Sequence, residues 1–215
     1  MRSEKPTITI IINNLIISPQ KWSAICRVRD MKLYIISNRL PVKVSEKNGT
    51  FSFTRSEGGL ATGLDSLQTA YEKHWIGWPG ICVDNDSDKQ AIGEKLEELN
   101  FHPVFLSDTQ IKNYYEGYSN STIWPLCHYF FAYTLYKDTF WQAYREVNKR
   151  FCETICRLIG PEDKVWTQDY QLMLLPGMLR EAVPDLCIGY FHHIPFPSYE
   201  PVSYTHLTLP TTSRV

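Results

Sequence analysis

Short apolar runs of the buried-strand kind alternate with longer stretches of helical period along most of this 215-residue chain, and that alternation constrains the fold more than any other feature. Lys32-Leu33-Tyr34-Ile35-Ile36-Ser37 is the first strand of this kind. Trp75-Ile76-Gly77-Trp78, Val104-Phe105-Leu106, residues 164–167 and residues 186–191 are the others. Between them lie helical stripes. Leu60, Leu64, Leu67 and Tyr71 share one face, residues 86–99 form a polar amphipathic helix, and residues 172–181 form a late one. The longest starts near Asp138, buries Phe140, Tyr144, Val147, Phe151, Ile155 and Leu158, and ends at Gly160. Ser107 or Asp108 can cap the helix after Leu106. Asn48-Gly49 joins two alternating strands around Val42-x-Val44 and Phe51-x-Phe53 as a hairpin. The expected fold is α/β: a Rossmann-like, doubly wound parallel sheet with helices on both faces and a β-hairpin insertion.

Charge excludes some functions. Lys and Arg number 22 against 23 Asp and Glu, so a polyanion-binding scaffold is not expected and no nucleic-acid partner is implied. The apolar run over residues 8–17 is too short to span a bilayer, is broken by Asn13-Asn14, and precedes no small-x-small cleavage pattern. A cytoplasmic protein without a membrane partner is expected. The sequons at Asn48 and Asn120 matter only in a secreted chain. None of the six cysteines forms a CxxC, which fits reduced core thiols better than a zinc site or a disulfide framework.

In open parallel sheets the ligand crevice lies outside the carboxyl ends of the strands. Arg39, Trp78, Asp169 and His193 each fall just past such an end. Arg39 can hold a phosphate with a bidentate fork or make a surface salt bridge. Ser56-Glu57-Gly58-Gly59 puts two glycines at a helix entrance, where free N–H groups suit a phosphate, although an ordinary loop-to-helix turn reads the same way. Trp75, Trp78, Tyr114, Tyr115, Tyr118 and Trp124 stand outside clear amphipathic stripes and offer flat walls to a pyranose ring, or simply fill a core. Asp169 can accept sugar hydroxyls, take a proton, or cap the helix beginning at Tyr170. His192-His193 precedes a rigid Pro-x-Pro turn; adjacent histidines rarely share one metal, so a hydrogen-bonding role is the functional reading and a satisfied strand-end histidine the plain one.

The order of these signals is more specific than any one of them. Ser37-Asn38-Arg39-Leu40-Pro41, Gly58-Gly59-Leu60-Ala61, Trp75-Ile76-Gly77-Trp78-Pro79-Gly80, Tyr114-Tyr115 with Trp124-Pro125, Trp166-x-x-Asp169-Tyr170 and His193-Ile194-Pro195-Phe196-Pro197 follow one another as in the trehalose-6-phosphate synthases, which residues 31–200 resemble. The resemblance implies the N-terminal, acceptor-binding half of a retaining glycosyltransferase of the GT-B fold. Such an enzyme moves glucose from UDP-glucose to glucose 6-phosphate and needs no metal ion or other cofactor. Carried over residue by residue, Arg39 grips the acceptor phosphate, with Tyr115 and Trp124 lining the same pocket. Trp78 joins them in preference to Trp75. Gly58 and Gly59 lie near the donor diphosphate. Asp169 binds acceptor hydroxyls, and His193 contacts the donor glucose. Retention by same-face attack, with the leaving phosphate taking the acceptor proton, fits the lack of a second nucleophilic carboxylate.

Gln168 and Gln171 depart from the family, which carries histidines there, and that weakens any role given to those two positions. Residues 1–30 are either an over-extended reading ahead of Met31 or a genuine extension, and residues 201–215 read as a tail outside the family, foreign to it in origin. UDP-glucose binding is expected mostly from a C-terminal domain beyond this chain, which should be inactive alone. A homo-oligomeric parent stays open. The alternative function is a non-catalytic module that binds glucose 6-phosphate or regulates a full-length synthase.

Overall fold

A computed structural model describes residues 10–12, 15–17, 31–47, 49–55, 63, 69 and 71–197. Near the start, β1 (Ile10–Ile12) and β2 (Leu15–Ile17) pair antiparallel. The body is a parallel sheet of β3 (Lys32–Arg39), β6 (Glu72–Trp78), β7 (Phe101–Pro103), β8 (Lys164–Gln168) and β9 (Cys187–Phe191), in the order β7-β6-β3-β8-β9. The hairpin β4 (Val42–Lys47) and β5 (Thr50–Arg55) pairs separately. Lys47 faces Thr50 across it and Gly49 has φ 75°, as a two-residue loop with left-handed backbone requires.

Strand alternation divides two cores. Tyr34 and Ile36 of β3 face the side packed by α4 (Asp138–Leu158) and α5 (Leu175–Ala182), through Tyr144, Val147, Phe151 and Leu179. Leu33 and Ile35 face the other side, packed by Ile92 and Leu96 of α1 (Asp86–Glu97) and by Val42 and Val44 of the hairpin. Each large apolar side chain so buried contributes about 1.5–3 kcal/mol. A β-strand alternates faces with period two, so β3 alone supplies the floor of both cores.

Several elements differ from their expected bounds. The strand expected at residues 104–106 is instead β7 at Phe101–Pro103. It is an edge strand, where proline is tolerated, and Val104 and Leu106 bury themselves just past it. The helix expected over residues 172–181 starts as a 3₁₀ turn at Tyr170–Leu172 and becomes α-helical at Leu175–Ala182. Ser107 caps α2 (Asp108–Gln110) with a reciprocal Gln110 bond. The helix expected after this cap then continues as a π-helix over Ile111–Ile123 before α3 (Trp124–Cys127), a geometry the expected pattern does not contain. The helix expected around Leu60 and Tyr71 lies largely outside the described residues. No helix among the described residues is long and apolar enough to cross a membrane.

Away from the carboxyl edge, His74 of β6 and His102 of β7 stack, with His74 Nδ1 2.9 Å from His102 Nε2. One shared proton satisfies both nitrogens, so a second is unwelcome. Burial pushes His102 down to about 4, helped by the charges of His74 and Lys32. Burial also lowers His74, although Glu72, 3.5 Å from its Nε2, opposes the shift. Depressed native values mean that the unfolded chain binds more protons from the ordinary histidine range, about 6.5, down to about 4. Stability should therefore fall as pH drops through that window. His102→Gln, which keeps a hydrogen-bonding side chain but cannot titrate, should flatten the fall in urea midpoints measured between pH 7 and pH 4.5. An unchanged pH slope in the variant would contradict this account.

Candidate active site

The sheet reverses its winding between β3 and β8. From β3 the chain adds β6 and β7 on one side; β8 and β9 build the other. The crevice of such a sheet opens beyond the carboxyl ends of the two strands at that switch point. Ser37-Asn38-Arg39 ends β3, and Gln168 followed by Asp169 ends β8.

At the end of β3 the pairing with β6 becomes irregular between Ile36 and Arg39. Ser37 Oγ donates to the Arg39 carbonyl at 2.6 Å and accepts the Trp75 indole N–H at 2.6 Å. Trp75 is thus a buried brace for the strand end. Gly77 makes the close crossing of the two strands feasible: a Cβ there would stand 2.8 Å from both Arg39 C and Leu40 N. Arg39 is exposed, with its guanidinium carbon 4.8 Å from the centroid of the Trp78 ring. The Trp78 indole N–H donates to Ile81 O at 3.1 Å, which fixes the ring under the cation. Among the described residues no carboxylate forms a salt bridge with Arg39. Its planar fork is of the kind that holds an anion by two hydrogen bonds.

The end of β8 carries a backbone outlier. Asp169 has φ 70° and ψ 172°, a region that costs a side-chain-bearing residue about 1–3 kcal/mol. Its N–H donates to Phe191 O at 2.7 Å, and its Oδ1 accepts the His193 backbone N–H at 3.1 Å. The cap reading is overturned, since the Asp169 side chain makes no cap bond to the following 3₁₀ turn. His193 Nε2 lies 2.9 Å from Gln168 Oε1. Asp169 and His193, far apart in sequence, therefore meet at one strand end.

α4 holds this turn from below. The Tyr144 hydroxyl donates to Tyr170 O at 2.6 Å and accepts the Met173 N–H at 3.1 Å. Asn148 Nδ2 donates to Gln171 O at 3.1 Å. Sequence reading missed both roles. The available signal was Asn148, a polar residue that the helical period places inside a buried stripe.

The π-helix ties the two strand ends together. Tyr114, fully buried, donates to Asn38 Oδ1 at 3.0 Å, and the Tyr170 hydroxyl donates to Asn120 Oδ1 at 3.0 Å. Burial, and then the Asp169 charge, push Tyr170 up to about 12, and burial raises Tyr114 well above the usual phenol range, so both stay protonated donors. Tyr115 is half-buried on the same helix. Trp124 is exposed at the start of α3 and stacks on His128 with ring centroids 4.0 Å apart. Neither ring makes a hydrogen bond or ring contact with Arg39 or Asp169. Gly58 and Gly59 lie outside the described residues.

Three of the described cysteines are poor nucleophiles. Burial pushes the Cys82, Cys127 and Cys152 thiols up to about 12, about 11 and about 12, so they are protonated at neutral pH. Among the described residues no group of three or more His, Cys, Asp or Glu is placed to hold a metal ion.

The strain at Asp169 has a direct test. Asp169→Gly and Asp169→Ala both remove the carboxylate and differ in the Cβ. The glycine variant should be the more stable by about 1 kcal/mol in denaturant titration, despite its larger unfolded-state entropy. An alanine variant as stable as the glycine variant would show that the turn is relaxed.

The sequence pattern of glycosyltransferase family 20 matches residues 31–213. The trehalose-6-phosphate synthase of Mycobacterium ulcerans (strain Agy99) is 44% identical over 172 residues, covering 80% of this chain and 34% of that protein. The trehalose-6-phosphate synthase of Mycobacterium tuberculosis (strain ATCC 25618 / H37Rv) is 43% identical over 175 residues, covering 80% and 35%. Among solved structures, an α,α-trehalose-phosphate synthase (UDP-forming) from Burkholderia vietnamiensis superposes with a TM-score of 0.63 at 27% identity, over 81% of this chain and 37% of that one. The enzyme of the same description from Burkholderia xenovorans, solved in complex with glucose-6-phosphate, gives 0.61 at 26% identity, over 80% and 35%. The sheet corresponds to the N-terminal half of these GT-B enzymes. This chain spans about a third of the length of the curated relatives it matches. It belongs to glycosyltransferase family 20.

Proposed function

We propose that this chain is the acceptor-binding lobe of a trehalose-6-phosphate synthase, which transfers glucose from UDP-glucose to glucose 6-phosphate with retention. The observation that carries the reading is that an exposed, ring-backed guanidinium ends β3 while a carboxylate follows the end of its neighbour β8, on the same edge of the sheet. A phosphorylated hexose has the matching polarity: a dianionic end for Arg39 and hydroxyls for Asp169.

In this reading Trp78 holds the guanidinium, and Tyr115 and Trp124 wall the sugar. The carboxylate of Asp169 accepts acceptor hydroxyls beside the reacting centre. His193, tethered to Asp169 through its backbone N–H, contacts the donor glucose. Gly58 and Gly59 approach the donor diphosphate with backbone N–H groups, which favour the charge that develops as UDP departs. No residue supplies a covalent intermediate. The leaving phosphate takes the acceptor proton as the new bond forms on the same face of the donor sugar. The rest of the donor site belongs to the part of such an enzyme beyond the matched third.

Calorimetry on the chain tests the acceptor reading. Glucose 6-phosphate should bind, glucose should bind far more weakly, and UDP-glucose should give little heat. Arg39→Ala should weaken glucose 6-phosphate binding about 10- to 100-fold, the loss expected for a charge-assisted forked contact. Equal affinity of the wild type and the alanine variant would refute the assignment of Arg39.

A further inference from the structure

His193 is held at two points by consecutive residues of one strand end. Its backbone N–H donates to Asp169 Oδ1 at 3.1 Å, and its ring Nε2 sits 2.9 Å from Gln168 Oε1. Gln168 is 1% exposed, and the other atom of its carboxamide, Nε2, has no hydrogen-bond partner. A buried amide that leaves one end unsatisfied is costly and calls for a reason. Gln168 is the last residue of β8, paired through its backbone with Phe191 of β9, so it cannot move independently of the sheet. The Phe191 ring packs on the His193 ring at 4.6 Å between centroids, which limits its rotation about the bond that carries it.

We infer that Gln168 is a positioning residue that fixes the tautomer of His193, keeping the ring proton on Nε2 and leaving Nδ1 as the ring's one acceptor. A carbonyl oxygen can only accept, so the nitrogen facing it must carry the proton. The opposite arrangement turns the amide over, places the proton on Nδ1 and leaves the buried carbonyl, in place of the amide nitrogen, without a partner, so the two arrangements differ in the tautomer that the ring must show. The functional meaning rests on the proposed transferase: an exposed imidazole with a fixed lone pair on Nδ1 accepts from a sugar hydroxyl and gives no proton to the leaving group. An amide does not titrate, so the tether acts alike across the pH range in which a histidine or carboxylate at position 168 would change charge.

The test reads the ring in the ligand-free chain, so it stands or falls independently of sugar binding. Two-bond proton–nitrogen correlation NMR at pH 8 should show His193 with a protonated-type Nε2 and an unprotonated-type Nδ1 at full separation, and the Nε2-bound proton should exchange slowly with solvent. Gln168→Glu, whose carboxylate can only accept, should keep this signature. Gln168→Met, which removes the acceptor at similar length, should draw the two nitrogen shifts together and speed proton exchange at least tenfold. Averaged shifts in the wild type, a swapped tautomer in the Glu variant, or an unchanged signature in the Met variant would each overturn the inference. Should the Met variant fail to fold, the slow Nε2 proton in the wild type and the Glu variant decide it.

Discussion

β3 is hydrogen-bonded on both sides by parallel strands, β6 and β8, and the rest of the molecule is arranged around that fact. Its two faces floor two different cores. Its carboxyl end lies where the winding reverses, so the chain leaving β3 and the chain leaving β8 diverge and leave backbone and side chains open to a ligand. A glycine at position 77 allows the strands to close at that end, because any side chain there would strike the backbone of Arg39 and Leu40. The guanidinium is thus placed by sheet geometry and then held by the Trp78 ring.

The second strand end is shaped by polar groups inside the core rather than by apolar packing. Tyr144 and Asn148 of α4 bond to the carbonyls and N–H of the turn after Asp169, where the backbone runs through a region that side chains avoid. Buried hydrogen bonds of this kind are expensive to leave unmade, which lets them hold a strained residue in place. The strained Asp169 backbone, its carboxylate bond to the His193 N–H and the Tyr144 and Asn148 bonds to the following turn join β8, the β9 exit and α4 into one hydrogen-bonded unit.

Much of this was legible in the sequence because strands and amphipathic helices write their own periods. The continuous apolar run Leu33-Tyr34-Ile35-Ile36 belongs to a central strand buried on both faces, and the stripe from Tyr144 to Ile155 belongs to a packed helix. That Arg39 with Trp78, and Asp169 with His193, lie just past strand ends on the carboxyl edge is what the parallel-sheet rule expects. Other features leave no such mark. The π-helix over Ile111–Ile123 closes with an i to i+5 bond from Trp124 N to Ser119 O, which breaks the 3.6-residue period used to find helices. The positive φ at Asp169 carries no glycine to announce it. Gln168 resembles any polar residue at a strand end until its partner is seen across β9. Pro103 reads as a breaker, yet it sits in an edge strand that has no need of its N–H.

The account's central claim is that a sugar phosphate sits at the β3–β8 switch point with its phosphate on Arg39. A crystal structure of the chain grown with glucose 6-phosphate measures this directly. The account predicts phosphate oxygens within hydrogen-bond distance of the Arg39 guanidinium and the sugar hydroxyls directed to Asp169. A phosphate bound at any other edge of the sheet, with Arg39 still lying over Trp78 and contacting nothing else, would contradict it.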